Sequence, residues 1–281
     1  MPHALATVVF GLAASLFWGS GDFSGGLASR KDNASSVVFV AYAVGALLLS
    51  MLALIWREPL PSPINVLWGG LAGIAGAIGL VAFYKALSVG RMGIVAPVSA
   101  ILTAGLPVIF SAFTQGLPSF LQVGGFVLAL VAVGLISRPE RAQGRPEGIG
   151  LALLAGCAFG CFFILISRLN TTSTFWPLAV ARLVSMLFLL ALGGFRVRKM
   201  LPKRTLAPLV TLSGACDAIG NAFFVLAAHI GRLDVAAVLS SLYPAATVLL
   251  AAIVVKERVT RIQSLGILCA LVAIPLISAK F

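Results

Sequence analysis

The stretch LQVGGFVLALVAVGLIS (Leu121–Ser137) returns as IQSLGILCALVAIPLIS (Ile262–Ser278), 141 residues further along a chain of 281. Gln122 falls on Gln263 and Gly125 on Gly266. Chance can produce one such match in an alphabet this apolar. The same offset, however, lays VGRMGIVA from Val89 over IGRLDVAA from Ile230, and LFWG ending at Gly19 over CAFG ending at Gly160. Agreement at one offset across both halves marks an internal duplication, 1–141 and 142–281, with Trp18 opposite Phe159.

Both copies are too apolar for water. Of the residues, 60% are hydrophobic and 10% charged, against about 25% charged in a soluble domain. No charge occurs in the 46 residues from Met92 to Ser137 or in the 26 from Pro59 to Tyr84. A helix crosses a bilayer in roughly 20 such residues, and only helices or closed barrels pair every backbone group there. Turn signals and charges divide the chain into ten segments: 4–28, 34–56, 64–88, 93–114, 119–137, 148–167, 173–194, 206–229, 235–255 and 261–279. REPLPSP ends the second, TQGLPS splits the long uncharged stretch, and RPERAQGRPEG marks the midpoint. The expectation is an all-α polytopic membrane protein of ten transmembrane helices. Five spans per copy is an odd number, so the second copy enters from the opposite face. Two inverted five-helix repeats around a central cavity are the usual plan of a secondary transporter.

Other classes fit poorly. The net charge of +12 sits mainly in short connections, where it sets orientation, so no nucleic acid is expected as a partner. Cys157, Cys161, Cys216 and Cys269 lie in apolar segments and read as small buried hydrophobes rather than a disulfide or metal framework. The glycines of GSGDFSGG follow an apolar helix, not a strand, and lack dinucleotide-binding spacing. No cofactor, metal or enzymatic activity is expected.

Polar groups inside spans carry the functional reading, because a charge in hydrocarbon is normally turned toward protein or water. Asp22, a turn beyond Trp18, lines a cavity mouth, forms an interfacial ion pair, or carries protons. Tyr84 is either an aromatic-belt residue or part of a cavity. Arg182, ten residues into its span and not far from Trp176, serves a substrate carboxylate or tethers another helix. Asp217, Asn221 and Phe224 share one helical stripe, which suits an amphipathic solute or an interhelical hydrogen-bond cluster. Ser99 and Ser240 are 141 apart and are expected on two sides of one cavity, beside Tyr243. Pro97, Pro107 and Pro244 are expected to kink repeat-related helices there.

With Trp18–Gly19, the two five-helix repeats and SSLYPAATVLLAAIVVKERVT from Ser240 in view, the chain resembles the EamA branch of the drug/metabolite transporter superfamily. Ser241, Leu242, Tyr243 and Pro244 fit that family's pattern; Lys256 stands where a glycine usually precedes Glu257 and Arg258. The resemblance implies a multi-pass inner-membrane carrier that exports small metabolites, amino acids including aromatic ones foremost. Sugar, nucleoside or drug transport, or a non-transporting scaffold or sensor, are the alternatives. Its expected partners are a small-molecule substrate, membrane lipid and, if coupled, protons; it is expected to act as a monomer. Two arguments about orientation collide. Alternate connections carry 14 basic residues against Arg57, Arg168, Arg232 and Lys280 on the other side, which places both termini outside. The family resemblance places them in the cytoplasm.

Overall fold

Prolines, polar runs and left-handed turns end the helices where the apolar pattern stops. The computed structural model describes residues 2–89, 92–136, 148–170, 172–192, 201–254 and 260–278. The first half comprises α1 (Pro2–Ser29), α2 (Ala34–Ile55), α3 (Pro63–Val89), α4 (Met92–Thr114) and α5 (Phe120–Ile136). The second comprises α6 (Ile149–Ile166), α7 (Phe175–Leu192), α8 (Ala207–Ile230), α9 (Leu233–Ser240), α10 (Tyr243–Val254) and α11 (Arg261–Ser278). Among the described residues there is no strand. The expected midpoint, with Ala142, and the Lys256–Glu257–Arg258 corner lie outside the described residues.

Ten spans account for these helices, the ninth being broken into α9 and α10. Sequence reading put kinks at Pro97 and Pro107 in α4 and at Pro244. In the structure α4 runs from Met92 to Thr114 through both prolines, and the side chain of Pro97 lies outside those described. Pro244 begins a new helix, where its missing N–H would have had no partner. Before it, Leu242 N–H tightens onto Leu239 O at 3.3 Å and the Ser241 hydroxyl donates to Val238 O at 2.7 Å, which closes α9.

The packing repeats as the sequence does. Adding 141 converts α1, α2 and α3 into α6, α7 and α8, α4 into α9–α10, and α5 into α11. Accordingly α1 packs on α8 and α6 on α3; α2 packs on α8 and α7 on α3; α4 packs on α6 and α9–α10 on α1. The pairs α2–α7, α4–α9 and α5–α11 join an element to its own counterpart. An exchange of this kind is what a pseudo-two-fold axis in the membrane plane produces. Glycines let the crossing helices approach: a Cβ on Gly73 would strike Ala181 O of α7, and one on its counterpart Gly214 would strike Ala41 O of α2. Large apolar side chains such as Leu47, Leu54, Phe113 and Phe120 cover the outside, where lipid tails replace water. The chain is a multi-pass membrane protein.

Among the described residues, connections meet partners of the same parity, as alternating spans require. At one end Asp32 accepts from Lys203 N–H at 2.8 Å. At the other, α2 closes with Arg57 in the left-handed region (φ 52°) and Glu58 N–H bonded to Ala53 O at 2.9 Å. That hook aims the Glu58 carboxylate at the start of α7. It accepts from Thr174 N–H (2.9 Å), Phe175 N–H (2.8 Å), Trp176 N–H (3.2 Å) and the Ser173 hydroxyl (3.1 Å). A carboxylate there satisfies donors the helix leaves unpaired and opposes its dipole. Beside it, Asn65 donates to Asn170 Oδ1 at 2.6 Å. At the same end Arg232 donates to Gln115 O (3.2 Å), to Gly116 O (2.8 Å) and to Asp234 (2.7 Å), which joins the two halves. The hydrogen bond to Asp234 holds the Arg232 guanidinium above its usual pKa.

Candidate functional site

Where the two-fold axis brings α1, α3, α6 and α8 together, their side chains do not meet completely. The residual cavity leaves about 50 Å³ for the centres of water-sized molecules. Trp18, Asp22, Asp217 and Asn221 line it from the α1–α8 pair, with Tyr42 and Arg182 from α2 and α7. Gly76, Leu80, Phe159, Phe162 and Phe163 line it from the α3–α6 pair, and Thr103 and Tyr243 from α4 and α10. The α1–α8 and α2–α7 pairs therefore supply its polar and charged groups, and the α3–α6 pair supplies apolar, largely aromatic ones.

The polar wall centres on Arg182, 2% exposed. Its Nη2 lies 2.6 Å from Asp217 Oδ2, and its guanidinium carbon is 4.7 Å from the centre of the Tyr42 ring. Nevertheless neither Nε nor Nη2 aligns an N–H on an acceptor as a hydrogen bond requires. Nη2 is thus engaged by the Asp217 carboxylate through close charge contact, while Nε has no acceptor. Asn221 donates to the backbone oxygen of Asp217, one turn back, and to its Oδ1 at 3.3 Å, while Asn221 Oδ1 has no partner.

Trp18 stacks on Phe163 with ring centres 5.1 Å apart, and Phe163 stacks on Phe224 at 4.2 Å. Phe83 braces Phe159 and Tyr243 from behind, at 5.8 and 6.2 Å.

Of the residues singled out from sequence, Trp18, Asp22, Phe159, Arg182, Asp217, Asn221 and Tyr243 come together on the cavity. The others stand elsewhere. Phe224 lies behind Phe163, fully buried. Ser99 stands beside Tyr243 but off the lining, and both hydroxyls are buried without an aligned partner. The Tyr84 hydroxyl shares a hydrogen bond with Ser213 Oγ at 3.0 Å and reaches Gly21 O at 3.4 Å. Ser240 donates to Gly11 O at 3.3 Å and so ties α9 to α1; it does not face Ser99 across the cavity. Trp176 belongs to the Glu58 cluster, its indole N–H donating to Glu58 O at 3.2 Å. Pro107 is buried in α4 and Pro244 at the start of α10, both outside the lining. The cysteines also depart from expectation: all four are free, but only Cys216 is buried, and Cys157 and Cys161 face outward from α6.

Sequence reading missed Tyr42, Leu80, Phe162 and Phe163, took Gly76 for a packing glycine, and noted Thr103 only as a hydroxyl beside Pro107. The duplication offered a signal for some, since 141 carries Gly76 onto Asp217, Leu80 onto Asn221 and Asp22 onto Phe163. Tyr42, a phenol eight residues into an otherwise apolar span, offered another.

The model of the EamA-like transporter family matches residues 5–138 and again 146–279, two stretches displaced by the same 141 residues. Among solved structures, one crystal structure superimposes with a TM-score of 0.75 at 17% sequence identity, covering 96% of this chain and 95% of the other. At that identity the likeness speaks for the fold alone. No curated protein matches the chain.

Proposed function

The chain belongs to the EamA-like transporter family, and on that premise we propose that it exports small amphipathic metabolites, amino acids including aromatic ones foremost, across the bacterial inner membrane by alternating access. Membrane transport of small molecules follows from the family; the solute class, the direction and the membrane are the proposal.

One observation carries the solute class. The buried polar atoms without aligned partners on Arg182, Asn221 and Tyr243 all belong to residues lining one cavity, which Phe159, Phe162 and Phe163 also line. An unsatisfied buried polar group costs about 1–3 kcal/mol, and a solute with a polar head and an apolar body relieves several at once. An amino acid has that form. Its carboxylate suits the planar donors of Arg182, and its side chain suits Phe159, Phe162 and Phe163.

At one end Arg232 ties the α8–α9 connection to the α4–α5 connection through its bonds to Gln115 O and Gly116 O. Opening that end separates the α4–α5 connection from the α8–α9 connection. The inverted second half supplies the matching movement at the opposite face.

The test is counterflow in proteoliposomes loaded with labelled threonine, methionine or phenylalanine, compared with labelled sugars and nucleosides. Faster amino acid exchange is expected. Preferential sugar or nucleoside flux overturns the solute class, and no protein-dependent flux across a broad metabolite panel overturns transport altogether.

A further inference from the structure

The cavity contains one more carboxylate than it has cations to answer it. Asp217 is matched by Arg182 at 2.6 Å and bonded by Asn221. Asp22 lines the same space, yet it forms no hydrogen bond or ion pair among the described residues. The neighbouring phenol of Tyr84 is already engaged with Ser213 and Gly21 O. The Thr103 hydroxyl is likewise spent on Ser99 O, at 2.8 Å. A carboxylate so placed inside a membrane protein either takes up a proton or meets a counter-charge brought from outside.

The surroundings specify what kind. A metal ion of the hard class gathers six or more oxygens, and no group of three acids, histidines or cysteines suited to a metal occurs among the described residues. A primary ammonium instead brings three N–H donors. Besides Asp22, the cavity offers two further acceptors, Asn221 Oδ1, which has no partner, and the Tyr243 hydroxyl oxygen beside Ser99. From this match of donors and acceptors we infer that Asp22 binds the primary ammonium group of the transported solute. The inference rests on the cavity being the solute site of a transporter. It goes further in requiring an amine and in naming the residue that recognises it.

Four compounds that share a phenyl group separate the contributions: phenylalanine, phenethylamine (no carboxylate), 3-phenylpropionate (no ammonium) and N-acetylphenylalanine (ammonium blocked). Each competes with labelled phenylalanine counterflow in proteoliposomes, and binding of phenethylamine to detergent-solubilised protein is measured separately by calorimetry. In the wild type, phenylalanine and phenethylamine compete at least about tenfold better than the two compounds without an ammonium. Asp22→Asn weakens both amines by about tenfold to a hundredfold and leaves 3-phenylpropionate unchanged. Asp22→Glu, which keeps the charge, retains the preference and distinguishes lost recognition from lost folding.

Wild-type competition by N-acetylphenylalanine equal to that by phenylalanine overturns the inference. So does Asp22→Asn that keeps the amine preference, including the case in which it loses only the pH dependence of flux and thereby reveals a proton carrier. If the wild type moves no amino acid, the proposed function fails and calorimetry decides the inference alone. Phenethylamine binding abolished by Asp22→Asn supports it; no binding to the wild type overturns it.

Discussion

Replacing Asp217 with asparagine keeps the side chain's shape and its contact with Asn221 while removing the charge that faces Arg182. Arg182 cannot move to water: it is 2% exposed, with Tyr42 4.7 Å away across the guanidinium. Removing one member of a fully buried ion pair costs about 3–5 kcal/mol, most of it the stranded partner. The Asp217 side chain is 19% exposed on the cavity, so water screens part of the loss and about 3 kcal/mol is expected. For a chain of this size that corresponds to a fall in Tm of about 6 °C. Tryptophan fluorescence during heating in detergent measures it, with monodispersity after extraction as a check on folding. Adding Arg182→Met to Asp217→Asn restores most of the loss, because no charge is then left alone. Asp22→Asn shifts Tm upward or not at all, since it removes a carboxylate that nothing answers. A wild-type Tm for Asp217→Asn, or a double variant no better than the single one, refutes the reasoning. In liposomes, Asp217→Asn that loses pH-dependent flux but retains counterflow identifies a proton carrier, and unchanged pH dependence points to a facilitator or to Asp22 as the proton carrier.

Asn221→Leu fills the cavity with a methyl-tipped side chain and is expected to abolish flux, with expression and monodispersity unchanged; normal flux, or a protein that fails to fold, contradicts the placement. Glu58→Gln removes the charged acceptor at the start of α7 and should cost about 2 kcal/mol in Tm measurements, without altering solute preference. Asp32, held below the usual carboxylate pKa first by the Lys203 N–H and then by the Asn33 N–H, stabilises the fold above the unfolded value of about 4. That contribution disappears as pH falls through the lower folded value, so Asp32→Asn should flatten the acid side of the stability profile. A cysteine placed at Ala142 should resist impermeant labelling from outside intact cells if the basic connections are cytoplasmic, and labelling there reverses the orientation.

The duplication and helix limits were legible because hydrophobicity and turn chemistry are local. TQGLPS and REPLPSP end helices whatever lies beside them. The site was half legible. Asp217 and Asn221 advertise themselves by polarity at helical spacing, whereas Phe162 and Phe163 are ordinary apolar residues until α6 is set against α3. Ser240 shows the opposite difficulty. Its hydroxyl belongs to a plausible stripe, but Gly11 lets α1 come close enough to accept its proton. Glu58 looked like the mark of a loop, since only the left-handed turn at Arg57 brings it under α7. Polarity identifies the side chains that need partners; the crossing of helices decides which partner each receives.

The scaffold is nearly symmetric and its lining is not. Were the two halves chemically identical, the conformations open to either face would be equally populated and the carrier would work equally well in both directions. Here the exchange of halves sets Asp217 against Gly76 and Asp22 against Phe163, so the two open forms differ in energy. Half-saturating concentrations measured from the two faces should consequently differ. Without coupling to another gradient, the ratio of maximal velocity to that concentration must remain the same in both directions, because an uneven site biases traffic without moving the equilibrium. In the absence of such coupling, the asymmetry makes the protein a rectifier in its kinetics while leaving it passive in its thermodynamics.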